Sequence, residues 1–194
     1  MKTIGRIIGL TLLSGITITT YGKEAGKMTD MKNPGVQDAK LQLTEKWDKI
    51  FPKSEKVDHC KITFHNRFGI TLAADLYKPK NASGRLPAIV VSGPFGAVKE
   101  QSSGIYAQQL AERGFLTIAF DPSFTGESGG TPRFVASPDI NTEDFSAAVD
   151  YLSNRSDVDP ERIGIVGICG WGGMAINAAA IDTRIKATVA VTMY

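Results

Sequence analysis

The residues best suited to chemistry lie in the run Gly164-Ile165-Val166-Gly167-Ile168-Cys169-Gly170-Trp171-Gly172-Gly173. An apolar strand there runs into a helix through a glycine-dense turn, and the side chain at the apex of such a turn is thrust clear of the sheet. The apex residue is Cys169. Its backbone must be strained, and a small residue two positions earlier, Gly167, gives it room. The helix expected from Gly170 presents unpaired N–H groups and a partial positive charge, which favour thiolate over thiol. A thiolate attacks carbonyl carbons. The resulting oxyanion would be held by the N–H of Gly170 and by a donor from the loop after the third strand, Ser92-Gly93-Pro94-Phe95-Gly96. Pro94 has no N–H, which leaves Phe95 or a close neighbour as that donor. Trp171 stands where a second small residue is usual, and it is expected to line the pocket together with Asp121. Two other interpretations of the run stay open. Cysteine is also among the most buried residue types, so the glycines would then serve packing alone; and an exposed low-pKa thiol is oxidisable, as in a redox sensor.

The elements that must position these residues are legible from periodicity. Residues 61–64 and 70–77 flank His65-Asn66-Arg67-Phe68-Gly69 and read as a β-hairpin. Residues 88–91, 115–120, 163–168 and 187–191 are short apolar runs of the kind found in strands covered on both faces. Helices are expected between them. Ser102 or Ser103 caps one whose buried stripe is Tyr106, Ala107, Leu110 and Ala111; Asn141 or Thr142 caps another carrying Phe145, Ala148, Val149 and Leu152 at helical spacing. The third, residues 170–181, is built from Gly and Ala. Strand and helix alternating after a hairpin predict an α/β fold, with a mostly parallel twisted sheet flanked by helices. Before it, residues 41–50 place Leu43, Trp47 and Ile50 at helical spacing and predict a short leader helix packed on the domain.

Composition narrows the partners. The chain has 194 residues, 42% hydrophobic and 22% charged, with a formal charge of +2 and no basic block. That excludes a disordered chain and points to a small-molecule substrate rather than nucleic acid. Lys2 and Arg6 precede an apolar run over residues 7–20, which resembles a secretory signal peptide ending near residue 22 and predicts a secreted or periplasmic protein; an N-terminal membrane anchor is the alternative. Residues 23–56 are then a leader and 57–194 the domain. The apolar run is too short and too rich in Thr and Gly for a confident membrane span. No His, Cys, Asp or Glu set has metal-ligand spacing, and no phosphate cradle or dinucleotide fingerprint is present, so no metal and no cofactor are expected. Cys60 and Cys169 fall in a strand and a turn, and whether those places meet is open.

The elbow, with three further passages, resembles the α/β-hydrolase superfamily, and within it the dienelactone-hydrolase-like and peptidase-like bacterial hydrolases. Residues 68–79 are similar to the second strand and its exit, Asp121 to Gly130 to the loop after the fourth strand, and residues 157–164 to the lead into the elbow strand. Lys99-Glu100-Gln101 resembles a charged stretch of the same subgroup and is expected to be a solvated helix entry, while Asp121, Glu127 and Ser128 have the composition of a turn. The resemblance implies hydrolysis of esters, lactones or amides by Cys169. It also implies a catalytic acid and histidine after later strands, whereas only 25 residues follow Cys169. His59 and His65 sit in the hairpin and do not match. The expectation is a hydrolase fold truncated after its sixth strand, whose exposed last strand is covered by a partner or a missing C-terminal segment. A non-catalytic fragment that binds a small ligand is the alternative.

Overall fold

The computed structural model describes residues 41–193, which fall within one compact unit, Pro34–Tyr194. The signal-peptide reading lies outside the described residues. Strands β1 (Val57–His65) and β2 (Thr71–Pro79) form the expected hairpin, paired antiparallel from Val57↔Pro79 to His65↔Thr71. Then follow β3 (Leu86–Ser92), helix α1 (Ser102–Ala111), β4 (Leu116–Phe120), α2 (Pro138–Ser153), β5 (Val158–Ile168), α3 (Trp171–Ile181) and β6 (Ile185–Val191). The strands make one sheet in the order β1-β2-β4-β3-β5-β6. Pairs among β3, β4, β5 and β6 are parallel, and β2 meets β4 antiparallel.

Side chains alternate across the sheet because successive residues of a strand point to opposite faces. Val90, Ile118 and Ile165 enter one core with Phe145, Leu152, Met174 and Ala178 of α2 and α3. Their neighbours Val91, Ala119 and Val166 enter the other, with Ala107 and Ala111 of α1. Both cores therefore need apolar strands, which is why β4 is buried at every position. The chain leaves β3 for β4 on one side and returns through α2 to β5 on the other. Open α/β sheets bind ligands at such a reversal, outside the C-terminal strand ends.

Three expectations are corrected. Residues 41–50 form no helix. They lie extended, with Lys49 and Phe51 inward and Ile50 76% exposed, a period of two rather than of three to four. The Lys49 side chain is buried on Asp75, Nζ to Oδ2 3.0 Å, and that partner outweighs a weak helical preference. Helix α2 begins at Pro138, not at a cap on Asn141 or Thr142. Proline suits a first helical position, and Asn141 Oδ1 accepts the Ser137 N–H at 2.8 Å, a reach-back that closes the helix start. Finally, the stretch at Lys99 is not solvated: Lys99 is 0% and Glu100 9% exposed.

Candidate active site

The apex of the β5–α3 turn is Cys169, with φ +60°. A non-glycine residue in that region is strained, and such strain collects where a side chain must be presented in one direction. Two neighbours make the turn sterically possible. A Cβ on Gly167 would lie 2.2 Å from the Trp171 carbonyl oxygen, and one on Gly170 would lie 2.0 Å from the Phe95 ring. The turn is tied down by the Cys169 N–H, which donates to the Val191 carbonyl at 2.8 Å, and by the Cys169 carbonyl, which accepts the Gly172 N–H at 2.9 Å. The cysteine is partly buried and carries a free thiol. Cys60, also free, lies on β1, four strand positions from β5. At about 4.8 Å per strand the gap is roughly 19 Å, which rules out a bridge.

Trp171 occupies the position where the hydrolase pattern has a small residue. Its ring turns into the α2 core, 3% exposed, with centroids 5.9 Å from Phe145, 6.2 Å from Phe120 and 6.1 Å from Phe95. The bulk thus goes into packing and leaves the turn free.

Ser92 pairs with Gly167 across β3 and β5, so the loop after β3 emerges beside the elbow and brings Phe95 against Gly170. Among the described residues, neither the Phe95 nor the Gly170 N–H is engaged by another group. Two free amides next to a thiol are what an oxyanion requires. Beside them opens a cleft of about 190 Å³. Phe95 and Trp171 line it with Pro94, Pro122, Phe134 and Val135; Cys169, two residues before Trp171, is not part of this lining and packs against the α1-side core.

Asp121 does not line the cleft, contrary to the sequence-based expectation. It is 0% exposed and its carboxylate is fully committed. Oδ1 accepts the Lys99 N–H at 2.8 Å, and Oδ2 takes Lys99 Nζ at 2.8 Å and the Glu127 N–H at 2.9 Å. Lys99 Nζ also reaches Glu100 Oε1 at 2.6 Å and Glu127 Oε2 at 2.7 Å. Lys61 on β1 completes the cluster, 2.8 Å from Glu127 and 3.4 Å from both Glu100 and Asp48. Burial works against the Lys99 charge, but the carboxylates around it outweigh burial and hold the amine above the usual lysine range. The same holds for Glu127: burial opposes its charge, and hydrogen bonds from Lys61 and Lys99 overcome it, bringing the carboxyl down to about 2. Asp48, Glu100 and Glu127 converge closely enough to hold a cation, yet two ammonium groups already stand among them. The cluster is an ion-pair network. His59, on the far side of it, hydrogen-bonds Asp75 at 2.7 Å and stays on the hairpin strand, remote from the elbow.

Comparison with known proteins follows the same outline. The model of the X-Pro dipeptidyl-peptidase (S15) family matches residues 69–193. The chain belongs to this family. It is 62% identical over 191 residues to uncharacterized protein PA2218 of Pseudomonas aeruginosa, covering 98% of this chain and 52% of that protein. The crystal structure of PA2218 superposes with a TM-score of 0.78 over 79% of this chain and 48% of its own, at 73% identity. The chain is 34% identical over 138 residues to thiohydrolase aneE of Aspergillus aculeatus, covering 71% of this chain and 42% of that protein. The α/β-hydrolase GrgF of a Penicillium species superposes with a TM-score of 0.66 at 29% identity, over 70% of this chain and 46% of its own. The chain thus spans about half the length of the curated relatives it matches.

For this S15-family chain, the sequence located the elbow, the loop after β3 and Trp171, and the fold brings those three together. It missed Phe134, which has a positive φ of 60° and is 86% exposed at the cleft mouth. An aromatic residue between Arg133 and Val135, after a Gly-Gly-Thr-Pro run, carries no periodic signal; only the loop path reveals it. It missed the ion-pair cluster too, because Lys61, Lys99 and Glu127 are far apart in the chain.

Proposed function

We propose that this protein is an acyl hydrolase in which Cys169 attacks the carbonyl carbon of an ester, lactone or amide. The observation that supports this reading is the left-handed backbone of Cys169 at the β5–α3 turn, the conformation a nucleophile at such a turn adopts in this fold class. Attack forms the S–C bond and moves the carbonyl π pair onto oxygen, which accepts hydrogen bonds from the Gly170 and Phe95 amides. Collapse breaks the C–O or C–N bond, the leaving oxygen or nitrogen takes a proton from an acid, and a thioester remains on Cys169; in a lactone the alcohol stays tethered to the acyl chain. Water that gives up a proton to a base then attacks the thioester, releasing the carboxylic acid and the thiolate. Hydrolases among the relatives, thiohydrolase aneE included, support the reaction class.

The second half of the cycle needs an activated water. Both histidines of the chain are on β1, out of reach of a base that must come within about 3 Å. We therefore assign the base and acid to the portion of the relatives' length that lies beyond the matched region, which would also cover the outer edge of β6. The leader over residues 1–22 supports export to the periplasm or the exterior, and N-terminal sequencing of the protein from a host periplasm tests it: a mature start near residue 23 is expected, and an intact Met1 overturns it.

The decisive experiment for the chemistry is intact-mass analysis after incubation with 4-nitrophenyl acetate. One acetyl group per chain is expected, mapped to Cys169 and absent from Cys169→Ala. Accumulation without turnover supports the separate location of base and acid. Labelling that survives Cys169→Ala, or no labelling at all, overturns the nucleophile.

A further inference from the structure

We infer that the cleft beside the elbow selects uncharged, apolar acyl groups and rejects acyl groups bearing a carboxylate or an ammonium; this rests on, and deepens, the assignment of Cys169 as nucleophile. Its walls are Pro94, Phe95, Pro122, Phe134, Val135 and Trp171, with only small or apolar residues besides two polar ones, Thr125 and Asn141. Among the described residues, no charged side chain lines it.

Asn141 is not available to a ligand. It is 1% exposed, its Oδ1 accepts the Ser137 N–H, and its Nδ2 donates to Asp144 at 3.0 Å. Three charged groups on the elements around the cleft, Asp144, Asp121 and Arg133, are committed as well, and Asp139, exposed in the first turn of α2, stands outside the lining. Asp144, fully buried, also accepts from Asn66 Nδ2 at 2.8 Å, Ser123 N at 2.8 Å and Ser123 Oγ at 2.7 Å. Asp121, next in sequence to Pro122, is saturated by Lys99 and the Glu127 amide. Arg133, next to Phe134, directs its guanidinium to the carbonyls of Ser128 and Gly126. A charged acyl group entering the cleft therefore sheds water and finds no counter-charge, a cost that a neutral chain does not meet. Apolar chains gain instead, since the aromatic rings are partly exposed before binding: Phe95 is 42% and Phe134 86% accessible. The cleft volume of about 190 Å³ suits a short to medium chain or a single ring rather than a polymer.

The test uses the full chain and 4-nitrophenyl esters of similar length: hexanoate, hemisuccinate and 4-(trimethylammonio)butyrate. Each rate of Cys169 acylation is divided by the rate of the same ester with free N-acetylcysteine. Hexanoate is expected to lead both charged esters by at least tenfold; a charged ester that matches it overturns the inference. A second arm needs no chemistry. In a Cys169→Ala, Trp47→Phe background, where Trp171 is the remaining tryptophan, its fluorescence reports binding of octanamide, octanoate and octylammonium. Octanamide is expected to bind at least tenfold more tightly than either ion, and equal binding overturns the inference. If no ester acylates Cys169 the nucleophile reading fails, while this second arm still decides the acyl preference. Val135→Lys, at a half-exposed rim position, is expected to raise hemisuccinate against hexanoate several-fold; an unchanged ratio removes the acyl group from this cleft.

Discussion

The apolar cleft and the ion-pair cluster are built from the same two loops and hold opposite chemistry. The loop after β3 supplies Phe95 to the cleft and Lys99 and Glu100 to the cluster. The loop after β4 supplies Pro122 and Thr125 to the first and Asp121 and Glu127 to the second. Where titratable groups are dense, each is matched by a partner and closed to substrate. Where carbonyl chemistry is proposed, one thiol and two free amides stand beside hydrocarbon. Charge density is therefore a poor guide to reactivity in this fold: a buried Asp with a strong partner is a fastener. Here the fastener ties the loop carrying Phe95 to the loop that supplies Pro122 and Thr125 to the cleft.

The sharpest way to break this contrast is to remove the central cation. Lys99→Met leaves Asp121 without its amine and Glu127 with Lys61 alone, and a loss of about 3–5 kcal/mol is expected in urea unfolding, the range for breaking one side of a buried pair. Adding Asp121→Leu should return much of it; a double variant no more stable than the single would mean that the pair does more than satisfy itself. Next in size is Gly167→Ala. Its Cβ meets the Trp171 carbonyl at 2.2 Å, so the elbow must shift, at about 1–3 kcal/mol for such overpacking, and acylation of Cys169 should slow at least tenfold. Wild-type rates in that variant would detach the proposed chemistry from the turn.

Acid titration sharpens the other side. The Glu127 carboxyl lies at about 2 in the fold against 4.5 for the unperturbed group. A lowered pKa contributes stability that is complete above the unfolded value and is lost as pH falls toward the folded one. Circular dichroism should thus show stability declining between about pH 4.5 and about pH 2, with a shallower decline in Glu127→Gln. An equal slope would show that the network draws nothing from this residue. The smallest structural effect is expected for Phe134→Ala. At 86% exposure its loss should change stability by no more than about 0.5 kcal/mol, yet lower the hexanoate-to-acetate ratio several-fold. An unchanged ratio would take Phe134 out of the acyl wall.

The sequence carried most of the fold because strand and helix are local. Apolar runs at 88–91, 115–120 and 163–168, with Gly-rich turns between elements, correspond to β3, β4 and β5, and the hairpin followed from the two runs on either side of Gly69, while its register is given by the structure. It failed at residues 41–50, where Leu43, Trp47 and Ile50 mimic a helical stripe. There the chain instead follows Lys49 into a buried pair with Asp75, a partner 26 positions away.

The amino-acid sequence by itself determined the elbow: Gly167, Cys169 and Gly170 fall within four consecutive residues, and local sterics at a strand-to-helix turn admit few other arrangements. It likewise determined that Pro94 has no amide hydrogen to offer beside the elbow. Only the tertiary structure decided that Asp121 is sealed under Lys99 rather than facing a ligand, that Trp171 turns its bulk into the core, and that Phe134 stands at the cleft mouth. Whether a polar group is buried, paired or open depends on what distant segments lay against it, and that is a property of the packed chain alone.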